Sequence, residues 1–220
     1  MTDKTLQKRN AAKKALAYVK GHDIIGVGTG STTAYFIEGL AEYRGRLEGA
    51  VASSVDTKQR LKAVGIPVLE LNSVNKISLY IDGADEFNNH GYLIKGGGGA
   101  LAREKIIASA SEQFICIVGK DKEAVVLGHF PVAIEVLPMA RSFVARECLK
   151  RGGDPVYRQG FQTDNGNVIL DVYNFDISSP SALETELNNI PGVVCNGIFA
   201  HRKADIILVG REDGVTTLTI

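Results

Sequence analysis

The first 120 residues alternate between short runs of branched apolar residues and helical patterns, and glycine or serine turns separate them. Strand patterns occur at residues 23–27, 49–54, 68–71, 77–81 and 114–118. Helical periodicity occurs at residues 4–20, 34–43, 58–64 and 101–113. Strands that alternate with helices form parallel sheets covered on both sides. The pattern therefore predicts an α/β fold with an open, mostly parallel sheet flanked by helices on both faces.

The pattern changes near Pro131. Strand, helix, two strands, helix and strand follow, at residues 132–137, 142–150, 156–158, 168–173, 181–189 and 198–200. This order predicts a smaller α+β subdomain of ferredoxin-like type, in which the turn signal TDNGN separates the two middle strands. We therefore expect a catalytic α/β domain at residues 1–130 plus 203–220, and the smaller subdomain at residues 131–202.

Composition limits the partners and the compartment. Lys and Arg total 25 and balance 25 Asp and Glu, so nothing in the charge favours nucleic acid as a partner. The polar start predicts no secretory signal, and no apolar run approaches the ~20 residues of a membrane helix. The three scattered cysteines, Cys116, Cys148 and Cys195, indicate reduced thiols of a cytoplasmic protein. The four histidines lack metal-ligand spacing.

The segment GVGTGSTT, residues 26–33, follows a predicted strand and opens a predicted helix. Helix N-termini present free N–H groups and a positive dipole end, which suit a phosphate. The dinucleotide pattern fails because Ser31 stands at the third glycine position, and the Walker pattern fails for lack of GK[ST]. The segment is consistent with an anion site or with a plain Ser/Thr-capped turn.

The segment IDGADE places Asp82, Asp85 and Glu86 directly after an apolar strand. Clustered carboxylates suit proton transfer, and they also suit a magnesium ion. A third interpretation is a turn in which each aspartate bonds its own backbone.

The segment KGGGGALAREK joins a lysine, four glycines and a helix. Successive glycine N–H groups can surround a small anion, and Lys95 adds a cation beside them. A flexible linker is the plain alternative.

Glu104 lies on the helix that follows the glycine run. At helical spacing it shares a face with Leu101, Ile107, Ala108 and Ser111, so this carboxylate belongs to a face that should point at the sheet. A carboxylate at the edge of a core is a candidate general base. The alternative is a first-turn glutamate that only complements the helix dipole.

These motifs in series resemble the type A ribose-5-phosphate isomerases. The resemblance rests on GVGTGST, DGADE, KGGGGALAREKI, ICIVGKDK, TDNGNVILDV and IPGVV, in this order and over nearly the whole chain. It implies a reversible conversion of D-ribose 5-phosphate to D-ribulose 5-phosphate in the pentose phosphate pathway, without a metal or other cofactor. It also implies a homo-oligomer, either a homodimer or a homotetramer.

The resemblance implies a role for individual residues. Glu104 matches the base that moves a proton between C2 and C1 through an enediolate. Asp82, Asp85 and Lys95 match residues that assist ring opening, proton movement between oxygens and charge stabilisation. Lys122 matches a substrate-contacting lysine, and Lys8 a phosphate contact. The other implied substrate contacts are Thr29, Gly30, Ser31, Thr32, Gly83, Ala84, Gly96, Gly97 and Gly98.

Other functions remain open at this stage. A sugar-phosphate sensor domain would keep the phosphate loops without needing Glu104, although the chain shows no helix-turn-helix or basic domain. An amino-sugar phosphate deaminase on a related scaffold should place a histidine near its acids, and His90 is close to Glu86 in sequence. An acyl-CoA transferase should carry its nucleophilic glutamate in a different motif.

Overall fold

The computed structural model describes residues 3–220. Within that range the α-helices are α1 (Asp3–Val19), α2 (Ser31–Gly39), α3 (Val55–Ala63), α4 (Leu101–Ala110), α5 (Arg141–Lys150) and α6 (Pro180–Asn188). The first seven strands are β1 (Ile24–Val27), β2 (Gly49–Ala52), β3 (Val68–Leu69), β4 (Ile77–Asp82), β5 (Glu86–Phe87), β6 (Leu93–Ile94) and β7 (Ser111–Gly119). The remaining strands are β8 (Val132–Val136), β9 (Asp154–Tyr157), β10 (Val168–Tyr173), β11 (Val193–Asn196), β12 (Ile198–Phe199), β13 (Ile206–Gly210) and β14 (Val215–Thr219).

The chain divides into two compact units. Unit 1 comprises residues 1–83, 103–123 and 204–220, and unit 2 comprises residues 84–102 and 124–203. The predicted domain boundaries differ from these units at residues 84–102, 124–130 and 203, and they stay a prediction. None of the helices within residues 3–220 has both the length and the apolar character needed to span a membrane.

Unit 1 contains a seven-stranded sheet in the order β14-β13-β7-β4-β1-β2-β3. All neighbouring pairs are parallel except β13 and β14, which are antiparallel. The interior strand β7 carries an unbroken apolar run at residues 114–118, typical of a parallel strand buried on both faces. The predicted open, mostly parallel sheet is confirmed.

Helices cover both faces of this sheet. Ile25 and Val27 of β1 point to one face, where they join a buried cluster with α1, α2 and α3. Gly26 points to the other face, where α4 packs, because a Cβ on Gly26 would lie 2.6 Å from the side chain of Ile107. This glycine lets α4 approach β1 closely, and the helix that carries Glu104 is placed by that contact.

Helix α4 is shorter than the periodicity predicts. It ends at Ala110, and Ser111 already belongs to β7, where it pairs with Ile77. The Ser111 hydroxyl donates to the carbonyl of Ile107 at 2.7 Å and so satisfies one carbonyl at the helix end. The predicted helical position of Ser111 is therefore wrong.

Unit 2 contains a four-stranded antiparallel sheet in the order β11-β8-β10-β9, with α5 between β8 and β9 and α6 between β10 and β11. Numbered within the subdomain, this order is 4-1-3-2, as expected for the predicted ferredoxin-like type. Its last strand is β11, which the sequence analysis missed. The predicted last strand, β12, instead pairs with β6 in a three-stranded sheet of order β12-β6-β5.

Candidate active site

Several candidate residues of unit 1 lie where its parallel strands end. Thr29 follows β1, Ser53 follows β2, Asp82 ends β4 and Lys122 follows β7. Neighbouring parallel strands bring their carboxyl ends to one edge of the sheet, which is where ligands bind in open α/β sheets.

Asp82 is completely buried and held by three donors. Its Oδ1 accepts the N–H groups of Thr29 at 3.1 Å and Gly83 at 2.7 Å. Its Oδ2 accepts the hydroxyl of Tyr80 at 2.5 Å. A Cβ on Gly28 would lie 1.9 Å from the Asp82 carboxyl, so only glycine permits this approach. The predicted turn chemistry is partly present, since Asp82 bonds the next amide, but the carboxylate also fixes the turn after β1.

Tyr80 was missed in the sequence, although it lies two residues before Asp82 on the same strand. Its ring is buried against Phe114, with centroids 5.0 Å apart. Burial, followed by the negative charges of Asp82 and Glu104, raises the pKa of Tyr80 well above its usual value of 10.0. Tyr80 therefore stays protonated at neutral pH and acts as a donor to Asp82. Residues two apart on a strand point to the same face, so the spacing of Tyr80 and Asp82 could have identified Tyr80 as a neighbour of Asp82.

Glu104 lies in the first turn of α4 and is only 4% exposed. Leu101, Ile107 and Ala108 are also buried, which confirms the predicted apolar face. The negative charge of Glu104 is one of the causes that raise the pKa of Tyr80. A carboxylate on a rigid helix, in a buried region, has the placement required of a general base.

Four hydroxyls form a network around Thr29. The Thr29 hydroxyl lies 2.7 Å from that of Ser53, 2.8 Å from that of Ser54 and 3.1 Å from that of Thr57. Thr57 also donates to the carbonyl of Gly28 at 2.7 Å. The network fixes the turn that carries Thr29, and the sequence analysis included only Thr29 from this group.

The N-terminus of α2 favours the anion interpretation of GVGTGSTT. The N-cap is Gly30, with a φ of 130°, and it provides no side-chain cap hydrogen bond. The plain Ser/Thr cap is therefore not present. Ser31 and Thr32 belong to the first turn, and the ammonium group of Lys8 donates to the Ser31 hydroxyl at 2.9 Å. A cation and a helix N-terminus at one place are suited to phosphate.

Lys122 ends a short 3₁₀ turn, Lys120–Lys122, directly after β7, and its side chain is half-buried. Its neighbour Asp121 forms an ion pair with Lys4 at 3.1 Å. This turn holds Lys122 at the same strand-end edge of unit 1 as Thr29 and Asp82.

In unit 2, Asp85 is bonded to the glycine loop, which we define as residues 96–99. Its Oδ2 accepts the N–H of Gly97 at 2.8 Å, and its own N–H donates to Ile94 at 2.8 Å. Ala84 precedes it and is half-buried. The structure thus brings Asp85 and the loop together.

The glycine loop is a compact turn. The N–H of Gly99 donates to the carbonyl of Gly96 at 2.9 Å, and both residues have positive φ, 77° and 114°. Gly97 and Gly98 are exposed. Two loop N–H groups, those of Gly97 and Gly99, thus donate within unit 2, so the predicted row of amides around an anion is not present in full.

Lys95 precedes the loop and is 3% exposed. Its N–H donates to the carbonyl of Gly197 at 2.9 Å, and its ammonium nitrogen lies 5.6 Å from the centre of the Phe199 ring. The backbone bond to Gly197 and the contact of the ammonium with the Phe199 ring help to fix this lysine.

Glu86 has a structural role. Its carboxylate is buried and accepts the N–H groups of Gly128 at 2.7 Å and Phe130 at 2.6 Å. His90 is exposed in a turn, where its N–H donates to Asn88. The Glu86 carboxylate is thus used in structural contacts, whereas the contact of His90 with Asn88 is made by its backbone N–H.

Within residues 3–220 no group of three or more His, Cys, Asp or Glu side chains is placed to hold a metal ion. The magnesium interpretation of Asp82 and Asp85 therefore gains no support, and metal independence stays a prediction.

Comparison with known proteins gives the same family throughout. The model of the family described as ribose 5-phosphate isomerase A (phosphoriboisomerase A) matches residues 49–214. Ribose 5-phosphate isomerase A from Neisseria gonorrhoeae is 45% identical with a TM-score of 0.97, over 100% of this chain and 98% of that chain. Ribose 5-phosphate isomerase A from Methanocaldococcus jannaschii is 39% identical with a TM-score of 0.92, over 97% and 98% of the two chains.

A third similar structure is a D-ribose-5-phosphate isomerase solved in complex with phospho-erythronic acid. It is 40% identical, with a TM-score of 0.93 over 100% of both chains. The resemblance seen in the motifs thus extends over the whole fold, and this chain belongs to the ribose 5-phosphate isomerase A family.

Proposed function

We propose that this protein interconverts D-ribose 5-phosphate and D-ribulose 5-phosphate through an enediolate, with Glu104 as the base. Membership of the family makes the chain an isomerase of this kind. The observation that supports the residue assignment is the buried Glu104 side chain in the first turn of α4, directly after the glycine loop.

The proposed reaction moves one proton between two carbons. In the open-chain aldose, the Glu104 carboxylate takes the proton from C2, and the electrons form the C1–C2 double bond while O1 becomes negative. A proton then moves from O2 to O1. Glu104 returns its proton to C1, and the C2 carbonyl of the ketose forms. No electron acceptor is needed, because oxidation at C2 balances reduction at C1.

The enediolate needs donors that are already in place. We assign this role to Lys95 and to the loop N–H groups that do not already donate within unit 2, since preorganised donors stabilise charge on oxygen without reorganisation. Lys95 suits it because its burial and its contacts leave it little freedom. Asp82 and Asp85 are assigned to ring opening and proton movement between oxygens, and Gly83 and Ala84 leave the intervening backbone open to the substrate.

The phosphate group is assigned to the N-terminus of α2. Lys8, Ser31 and Thr32 meet there, and the hydroxyl network fixes the preceding Thr29. Gly30 is the N-cap residue, and it leaves the N-terminus of α2 without a side-chain cap. Lys122 lies at the same edge of the sheet, where the strands end, and we assign it a contact with the substrate. Phosphate binding away from the reacting carbons orients them for proton transfer.

We further propose that the protein is a cytoplasmic homodimer or homotetramer that uses no metal or other cofactor. All three cysteines are free and buried, as expected in a reducing compartment. Sedimentation of the purified chain distinguishes the two assemblies.

A coupled assay tests the function. Purified protein should convert ribose 5-phosphate to ribulose 5-phosphate, and activity should survive exhaustive EDTA treatment. Phospho-erythronic acid should inhibit competitively, as a phosphorylated sugar acid bound by a similar enzyme. Binding of ribose 5-phosphate without turnover would contradict the proposal and favour the sensor. Loss of activity that magnesium restores would promote a metal site at Asp82 and Asp85.

A further inference from the structure

Arg158 of unit 2 bonds the backbone of the glycine loop. Its guanidinium donates to the carbonyl of Gly96 through both Nη1 and Nη2, at 3.2 Å each, and to the carbonyl of Gly97 at 3.2 Å. Arg158 follows β9, and its backbone N–H donates to Ile169 at 3.0 Å. One side chain, 62 residues from Gly96 in the sequence, therefore fixes two successive peptide groups of the loop.

Asp171 on β10 fixes the guanidinium. Its Oδ2 accepts Nε at 2.8 Å, and its Oδ1 accepts Nη2 at 2.5 Å. Both side chains are mostly buried, with 18% and 16% exposed. A two-point pair of this kind sets the plane of the guanidinium and offsets its charge. Arg158 is therefore placed to control geometry and adds little net charge.

The loop needs such an external support. Glycine has more backbone freedom than any other residue, so a glycine run does not hold one conformation by itself. A Cβ on Gly99 would lie 2.2 Å from the Phe161 ring, and the Arg158 guanidinium carbon lies 5.2 Å from the centre of that ring. Phe161 packs against the loop at Gly99, and Arg158 bonds the carbonyls of Gly96 and Gly97.

We propose that Arg158, fixed by Asp171, is a positioning residue that preorganises the glycine loop for the isomerase reaction. The inference rests on the proposed function, since it takes the loop as a substrate contact. When both carbonyls point to the guanidinium, the loop N–H groups keep one direction. Loss of that direction lowers turnover, because donors must already face the charge that forms.

Lysine cannot replace Arg158. Its ammonium is a point charge without the planar fork, so it cannot bond two carbonyls and a two-oxygen carboxylate at once. We expect Arg158→Lys to lower kcat by about 10- to 100-fold, the effect of a small misplacement near the reacting atoms. Asp171→Asn should act in the same direction, and the two losses should not add, because both remove one arrangement.

Arg151 provides the matched control. It also bonds a backbone carbonyl and a carboxylate in unit 2, donating to the carbonyl oxygen of Glu147 at 2.8 Å and to its Oε2 at 3.1 Å, but Glu147 lies on α5 and not in the loop. Arg151→Lys should leave kcat unchanged.

The experiment combines kinetics with hydrogen–deuterium exchange of peptides that cover residues 95–101. Arg158→Lys should speed exchange in these peptides, where Gly97 and Gly99 donate hydrogen bonds, and leave exchange in the parallel sheet of unit 1 unchanged. Arg158→Ala should regain part of its activity with a low, non-denaturing concentration of guanidinium, and none with urea.

Unchanged loop exchange in folded Arg158→Lys protein overturns the proposal, whether or not activity falls. Unchanged kcat together with faster loop exchange overturns it too, because the loop would then need no support. If Arg158→Ala does not fold, Arg158→Lys and Asp171→Asn decide the question. If the wild-type protein does not isomerise ribose 5-phosphate, the proposed function fails, and the exchange data alone still report whether Arg158 orders the loop.

Discussion

Unit 1 and unit 2 each bury one carboxylate completely, Asp82 and Glu135, and the two are held in different ways. Asp82 accepts two backbone N–H groups and a tyrosine hydroxyl, at the end of a parallel strand. Glu135 lies inside the antiparallel strand β8. Its Oε1 accepts three side chains of the turn between β9 and β10, from Thr163 at 2.9 Å, Asn165 at 3.0 Å and Asn167 at 2.8 Å.

This difference shows that burial alone does not identify a functional acid. The donors to Glu135 all belong to the TDNGN turn, so this carboxylate holds a hairpin of the ferredoxin-like sheet. The two backbone donors to Asp82 belong to the segments after β1 and β4, where ligands bind in such sheets. We therefore expect substitutions near Asp82 to change activity and substitutions at Glu135 to change stability.

Lys95→Ala should have the largest effect on activity among the variants that sharpen this contrast. Removing one preorganised donor to a developing oxyanion should lower kcat by about 10²–10³-fold. Steady-state kinetics on folded protein checks this. Lys203→Ala is the control, since Lys203 also lies over an aromatic ring in unit 2, 5.7 Å from the centre of Tyr92. A Lys95→Ala enzyme within a few-fold of wild type would reduce Lys95 to a packing residue.

Glu135→Ala should act on stability instead. It leaves the buried donors of Thr163 and Asn167 without their acceptor, so the free energy of unfolding should fall by about 3 kcal/mol. Urea unfolding measures this, and kcat of the folded fraction should be unchanged. A Glu135→Ala protein with wild-type stability and reduced kcat would break the contrast between the two carboxylates.

Tyr80→Phe removes the hydroxyl that holds Asp82, and we expect kcat to fall by about fivefold for the lost hydrogen bond. Stability should also depend on pH. The pKa of Tyr80 is higher in the folded protein than its usual 10.0, so its contribution is full below that pH and is lost as pH rises through the folded value. The stability advantage of wild type over Tyr80→Phe should therefore shrink above about pH 10.

Thermal melts of both proteins across this alkaline range test the pH dependence of Tyr80. Tyr43→Phe is the control, because its hydroxyl donates to the Leu16 carbonyl at 2.7 Å, away from Asp82. An advantage that stays constant or grows with pH would be inconsistent with a protonated, buried Tyr80.

The smallest effect is expected at Cys148 of unit 2. Burial raises the pKa of its thiol from 9.0 to about 11, and the side chain packs in the core of the ferredoxin-like subdomain. Iodoacetamide should modify it slowly at about pH 8, because the thiolate is the reactive form. Cys148→Ala should leave kcat unchanged. Rapid modification accompanied by loss of activity would place a functional group where the structure shows only packing.

Much of the fold was predictable because its signals are local. The branched apolar runs and the turns between them predicted the parallel sheet of unit 1, and Gly30 and Asp82 lie at strand ends that the sequence marks. Strand β11 was missed because only four residues follow Pro191 and Gly192 before the next glycine, Gly197. Local sequence also grouped Glu86 with Asp82 and Asp85. In the structure its carboxylate accepts the N–H groups of Gly128 and Phe130 instead.

Parts of the site were not predictable because their partners are distant in sequence. Arg158 is 62 residues from Gly96 in the chain, and no periodicity connects them. Pairing of Arg158 with Asp171 depends on the register of β9 and β10, which follows from the hairpin. Tyr80 is the exception, since its spacing from Asp82 along β4 was visible in the sequence.

Glu104→Gln, followed by exchange of the substrate C2 proton with deuterated solvent, tests the assignment of the base most directly. Glutamine keeps the size of the side chain and cannot accept the proton. We predict that kcat falls by about 10²–10⁴-fold, that C2 exchange falls with it and that KM changes little. Glu112→Gln, at an exposed glutamate paired with Lys76, should keep full activity. A folded Glu104→Gln protein that exchanges the C2 proton and isomerises at nearly the wild-type rate would contradict Glu104 as the base.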